Sequence, residues 1–302
     1  MAPTPLLVHA ALLSVSLFFG ANYVFAKIAL REITPLDLVV FRTSATAAIL
    51  FIAMRVRGRA ASGTASAPLT RQDLAQLFLY SLLGVSVNQL CFLQGLSRTT
   101  ATNASIMLVS VPILTLAFAV MLRRERATLT GLLGIAIGLS GALLLIIPRG
   151  GVDLSVNAKV GNLFLLAGAA SYAMYLVLTR GILRRHQPLR VISWVFLFSA
   201  ISVLPFGFGN IWAVLHTGIS TAGWLSIAYA VIGGTVLPYL INNWALVRTK
   251  SSLVGMYVLF QPVFAGSLGR LLLNEKLGPN TAIAAVLVVS GVLLSGWKRS
   301  GE

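Results

Sequence analysis

Charge is scarce in this chain. Only 10% of its 302 residues are Asp, Glu, Lys or Arg, and just seven are acidic. A soluble domain is about a quarter charged, so an ordinary water-facing surface is excluded. Cysteine is nearly absent. Cys91 stands alone, which rules out an intrachain disulfide or a cysteine-based metal site and suits small apolar packing. The three histidines, His9, His186 and His216, sit near the ends of apolar runs. Without clustered His and carboxylates, metal ligation and membrane-embedded catalysis have little to work with, and no cofactor is expected. Period-two alternation is missing as well, which excludes a membrane β-barrel.

The chain is instead 57% hydrophobic, with a mean hydropathy of +0.90. A helix needs about 20 mainly apolar residues to cross the hydrocarbon. Ten runs meet that need: 6–26, 36–54, 73–96, 101–122, 128–148, 160–180, 190–208, 222–246, 252–273 and 279–297. The leader MAPTP lacks Lys and Arg, and no small-residue cleavage site follows, so the first run reads as an uncleaved span. Segment 209–221 is too short to cross and is predicted at the interface, with Trp212 at headgroup level. The fold class is an all-α integral membrane protein.

The net charge of +16 would suggest nucleic acid in a soluble protein. Here the positive-inside rule accounts for it, and no nucleic-acid partner is expected. With a cytoplasmic N-terminus, Arg55, Arg57, Arg59, Arg71, Arg123, Arg124, Arg126, Arg180, Arg184, Arg185, Arg190, Arg248, Lys250, Lys298 and Arg299 all fall inside, fifteen of the 23 basic residues. Both termini are predicted cytoplasmic.

The chain also repeats itself. RTTATNASIMLVSVP at 98–112 is echoed by RTKSSLVGMYVLFQP at 248–262. At an ungapped offset of 150, Arg98 meets Arg248, Thr99 meets Thr249, Pro112 meets Pro262, Glu125 meets Glu275 and Gly84 meets Gly234. Upstream, an offset of 153 pairs Pro35 with Pro188 and Lys27 with Arg180. Each half, 1–150 and 151–302, holds five spans. An odd number makes the second half enter from the opposite side, an inverted repeat that suits alternating access with a substrate near the midplane.

Ten spans in two halves, each with the Arg-Thr start, the mid-span proline and a glutamate after it, resemble the drug/metabolite transporter superfamily in its EamA-like branch. The resemblance covers essentially the whole chain, and its narrower form is to the bacterial aromatic-amino-acid exporters. It implies a bacterial cytoplasmic-membrane protein with a central cavity. The first, third, fourth, sixth, eighth and ninth spans line that cavity, and the fifth and tenth support it from outside.

No carboxylate falls in mid-span, and the basic residues are placed at span ends, with Asp37, Glu125 and Glu275 at the edges. A buried ionisable group is the usual mark of a proton relay, so exchange or facilitated export of a net-neutral solute is expected. Uncharged polarity does occur inside the spans. The candidate substrate-binding residues are Asn22, Asn88, Gln89, Tyr172, Tyr175, Tyr239, Asn242, Asn243, Tyr257 and Gln261. Phe19 and Asn22 match Tyr172 and Tyr175 at offset 153. An unpartnered amide in hydrocarbon costs several kcal/mol, so these groups either bond between helices or face a wet cavity. Pro112, Pro238 and Pro262 free backbone carbonyls one turn earlier and act as hinges or as static kinks. Gly134 and Gly138 allow close helix approach, within the bundle or in a dimer. The reading is a secondary transporter, not an enzyme, that exports small neutral metabolites, amino acids above all and aromatic ones among them. Drugs or nucleosides are the alternative, and a channel or membrane enzyme the other classes. The partners are a small-molecule substrate and membrane lipids, with no obligate protein partner.

Overall fold

In the computed structural model, residues 5–60, 68–98, 104, 107–146, 156–273 and 281–296 are described. Every regular element among them is helical. Hydrocarbon offers the backbone no hydrogen bonds, so each apolar run must satisfy its own amides. The first two spans are α1 (Pro5–Ala29) and α2 (Pro35–Ala60). The third is α3 (Arg71–Ser81), a π-helical turn at Leu82–Val87 and α4 (Asn88–Arg98). The fourth is represented by α5 (Val111–Met121) and the fifth by α6 (Leu129–Ile146). The sixth and seventh are α7 (Val156–Leu183) and α8 (Pro188–Thr217). The eighth is α9 (Thr221–Val231), a second π turn at Ile232–Val236 and α10 (Leu237–Leu246). The ninth is α11 (Ser251–Met256), a 3₁₀ turn at Tyr257–Phe260 and α12 (Gln261–Leu273), and the tenth is α13 (Thr281–Gly296). Six of these helical stretches are long and apolar enough to cross a membrane.

Polar caps set the helix starts. Thr70 and Asp73 form a reciprocal capping box ahead of α3, and Thr34 and Asp37 make the same exchange ahead of α2. Ser220 caps α9 by accepting from the Gly223 amide at 3.1 Å. The membrane-length apolar stretch of α8 is Pro188–Gly207, and the helix runs on through 209–217 to stop at Gly218, where φ is +78°. Nothing between 209 and 217 breaks a helix, and at 30 residues α8 outreaches a bilayer core of about 30 Å. The Trp212 side chain lies outside the described residues.

Each of the three prolines stands second in a helical segment after a break: Pro112 in α5 after a turn at Val109–Ser110, Pro238 in α10 after the π turn, and Pro262 in α12 after the 3₁₀ turn. At such a start the missing N–H costs little.

Helix α13 runs along α6 as the most extensive pair, α2 along α8, and α4 along α7, while α1 contacts α9, α10 and α12. The α6–α13 contact is backbone to backbone. A Cβ added to Gly291 would lie 2.4 Å from the Gly138 nitrogen and 2.5 Å from the Gly134 carbonyl oxygen, so the glycines serve packing inside the bundle. Large apolar side chains such as Leu6, Ile52, Leu163, Phe206 and Val286 point outward, as lipid contact requires.

A central cavity as the candidate functional site

Between the helices lies a small cavity of about 70 Å³, partly open to solvent. α1 gives it Phe19, Asn22 and Tyr23; α2 gives Arg42; α4 gives Asn88, Gln89 and Phe92. Tyr172 comes from α7 and Tyr239 from α10, and Leu108, Val111, Val258 and Gln261 come from the broken fourth and ninth spans. Among the described residues, none from α6 or α13 lines it.

Six of the ten residues singled out in the sequence line this space: Asn22, Asn88, Gln89, Tyr172, Tyr239 and Gln261. The other four stand behind it. Asn242 Nδ2 donates to the Tyr172 hydroxyl at 2.7 Å. Tyr175 donates to Asn243 Oδ1 at 3.2 Å, and Asn243 Nδ2 donates to the Tyr239 carbonyl at 2.8 Å. These bonds hold the tyrosine cluster, in which Tyr172, Tyr175 and Tyr239 lie with ring centroids 6.1–6.2 Å apart. Tyr257 faces α1: its carbonyl accepts from Ser16 Oγ at 2.6 Å and its hydroxyl meets His9 Nδ1. At the front, Tyr23 donates to Gln261 Oε1 at 3.4 Å and its ring meets Phe92 edge-on.

The expectation that all basic residues sit at span ends fails at Arg42. It lies eighth in α2 and is only 3% exposed. Its Nε donates to Thr235 Oγ1 at 3.0 Å and Nη2 to the Gly234 carbonyl at 3.0 Å, while Nη1 is buried with no partner. The second span thus joins the lining, which the resemblance had not implied. The signal was present in the sequence: one arginine two turns inside an apolar run belongs to the interior, because seven residues at 1.5 Å carry it about 10 Å from the helix start.

At the offsets that align the two halves, eight of the thirteen lining residues form four pairs. Phe19 matches Tyr172, Gln89 matches Tyr239, Leu108 matches Val258 and Val111 matches Gln261. The π turns start at matched positions too, Leu82 and Ile232. Each contains a glycine against which the equivalent turn of the other half packs. A Cβ on Gly84 would fall 2.2 Å from Tyr175 Cδ2, and one on Gly234 would fall 2.2 Å from Asn22 Oδ1. The carbonyls of both glycines accept side-chain donors, Gly84 from the Tyr239 hydroxyl at 2.7 Å and Gly234 from Arg42. π turns are frequent at functional sites, and no pattern in the sequence announces them.

Acidic residues fasten the bundle at its ends. Asp73 takes Arg185 Nη1 at 2.9 Å and His186 Nε2 at 3.2 Å besides its capping box. Glu125 accepts from the Ser251 amide at 2.7 Å, capping α11, and faces Arg180 at 3.9 Å. Glu32 accepts from the Ser220 amide at 2.8 Å and from its hydroxyl at 2.5 Å. Those two bonds hold the Glu32 carboxyl below its ordinary range. Glu275 lies outside the described residues. Among the described residues no three His, Cys, Asp or Glu come together to hold a metal ion.

The profile of the EamA-like transporter family matches this chain twice, over residues 6–147 and 159–297. A WAT1-related protein of Arabidopsis thaliana is 27% identical over 78% of this chain and 68% of its own length. An uncharacterized transporter of Archaeoglobus fulgidus is 24% identical over 96% of this chain and 98% of its own. The uncharacterized transporter YyaM of Bacillus subtilis is 24% identical over 95% and 92%. One solved crystal structure shares the fold, with a TM-score of 0.73 and 19% identity over 95% of this chain and 96% of that one. With the family profile matched across both halves of an all-helical bundle around a central cavity, the chain belongs to the EamA-like transporter family and is a multi-pass membrane transporter.

Proposed function

We propose that this transporter exports small, net-neutral metabolites, amino acids foremost and aromatic ones among them, by alternating access between two inverted five-helix halves, 1–150 and 151–302. The observation that carries the reading is the pairing of the lining at repeat-equivalent positions. Two similar halves that share one cavity can exchange conformations and open it to either side in turn. The helix contacts support this, since the third span lies against the sixth as the first lies against the eighth, which are equivalent under exchange of halves. Asn22, Asn88, Gln89, Tyr172, Tyr239 and Gln261 contact the solute, Asn242, Asn243 and Tyr175 hold the tyrosine positions, and Tyr257 ties the ninth span to α1. Amides and phenols take the polar end, and Phe19 and Phe92 take the apolar body. The breaks preceding Pro112, Pro238 and Pro262 and the two π turns are the flexing points. Arginine does not release its proton near neutral pH, so Arg42 is no proton relay, and exchange or facilitated export remains the mode. The membrane is the bacterial cytoplasmic one, with both termini inside by the excess of Arg and Lys on that face.

The test is uptake of labelled phenylalanine, threonine and methionine into liposomes holding the purified protein. The lumen is either empty or preloaded with unlabelled amino acid. Saturable uptake stimulated by the preload is expected. Absence of uptake for all three removes the amino-acid assignment and turns the search to drugs and nucleosides. Flux without counter-substrate stimulation points to a channel.

A further inference from the structure

Arg42 is a buried cation without a counter-ion among the described residues. The contacts between oppositely charged side chains at Arg180–Glu125, Arg185–Asp73 and His186–Asp73 leave Arg42 out. Asp37 shares the helix but lies five residues earlier, off the Arg42 face, and its carboxylate accepts from Thr34. Thr235 and Gly234 engage two guanidinium nitrogens, both through neutral oxygens, and leave Nη1 buried and unpartnered at the cavity. A charge removed from water costs several kcal/mol unless an opposite charge and hydrogen bonds compensate it. A guanidinium already fixed by two bonds is pre-oriented for a carboxylate.

We propose that Arg42 anchors the carboxylate of the transported solute, so that the cavity selects carboxylate-bearing solutes with an apolar body and rejects the corresponding amines. This deepens the function proposed above and rests on the same cavity. In the same cavity, Asn22 Oδ1 and both Gln89 Oε1 and Nε2 are buried without partners, the oxygens suited to an ammonium or hydroxyl group and the nitrogen to an acceptor. They are neutral, so the amino group adds less to recognition than the carboxylate does. The preferred order is an aromatic amino acid or aromatic monocarboxylate first, and the decarboxylated amine last.

The experiment has two readouts. In proteoliposomes, 3-phenylpropionate and phenethylamine compete against labelled phenylalanine. 3-Phenylpropionate is expected to inhibit within about tenfold of phenylalanine itself, and phenethylamine to inhibit at least about tenfold more weakly than 3-phenylpropionate. Thermal unfolding of the purified wild-type protein, which needs no transport, is expected to shift upward with 3-phenylpropionate and not with phenethylamine. Equal effects of the two probes, stronger effects of the amine, or no shift with either overturn the proposal. Stabilisation by 3-phenylpropionate without phenylalanine uptake removes the amino-acid reading and keeps the anchor. R42Q is expected to raise the phenylalanine KM at least about tenfold with Vmax largely retained, and R42K to restore part of the loss. If Arg42 only staples the second π turn, R42Q lowers the unfolding temperature and the preference for carboxylate over amine stays intact, which also refutes the anchor.

Discussion

Gly84→Ala tests whether the π-turn glycines set how the halves meet. The new Cβ would sit 2.2 Å from Tyr175 Cδ2, which is 1.2 Å short of the 3.4 Å at which ordinary contact begins. The ring has nowhere to retreat. Tyr175 is fully buried, bonded to Asn243 and flanked by Tyr172 and Tyr239. Overpacking of this kind costs about 1–3 kcal/mol, and the better helix propensity of alanine returns at most about 1 kcal/mol. A net loss of about 1–2 kcal/mol is expected. The assay is a double-mutant cycle in thermal or denaturant unfolding of the purified protein, using G84A, Y175A and the pair. Removal of the ring removes the clash, so the pair should cost less than the sum of the single changes by about 1–3 kcal/mol. Strict additivity, or a G84A protein as stable as its parent, refutes the reasoning.

Four other outcomes follow from the same geometry. Gly291→Leu pushes against the backbone of α6 at Gly134 and Gly138 and should destabilise by about 3 kcal/mol or fail to fold, whereas Gly181→Ala, whose Cβ meets only Arg124 Nη1 at 3.8 Å, should stabilise by about 0.5–1 kcal/mol in the same unfolding assay. Asp73→Ala removes the α3 capping box and the partner of buried His186, and should lower stability by about 1–2 kcal/mol, read by thermal unfolding at neutral pH. Glu32 has a lowered folded-state pKa, so its hold on Ser220 is fully present above the ordinary carboxylate value and lost as pH falls through the depressed one. Proteolysis of the 218–220 connection should therefore stay flat from pH 8 to 5 and rise only below about 4, and Glu32→Gln should abolish that pH step.

The helical class and the apolar runs were legible because hydrocarbon forces each span to read as a long apolar word. The glycines of α6 were legible for a similar reason, since close helix approach leaves few residue choices. Failures came where one residue had to be weighed against its surroundings. Arg42 was assigned to a span edge because arginine usually lives there, although Pro35 starts α2 two turns earlier. The helical continuation of α8 over 209–217, beyond the membrane-length stretch that ends at Gly207, went unread because that segment is too short to count as a span, while nothing stops the helix before Gly218. Asn242 and Asn243 share a helical face with Tyr239, and that spacing could not tell the front of the cavity from its supporting layer. The π turns left no mark beyond the matched glycines, because an extra residue in a helix changes angle and not composition.

That extra residue acts as a rotation built into chain length. A π turn accommodates one more residue than an α turn, so everything after it is turned by about 100° around the helix axis. Without it in the third span, Asn88 and Gln89 would swing out of the cavity with their identities unchanged, and the same holds for Tyr239 after the second turn. Straightening the turn at unchanged chain length should therefore erase the polar wall as thoroughly as replacing its amides, whereas deleting one residue within 82–87 restores an α turn and should leave that wall facing the cavity. Homologous chains can retune this cavity by shifting register, with no new side chain at all.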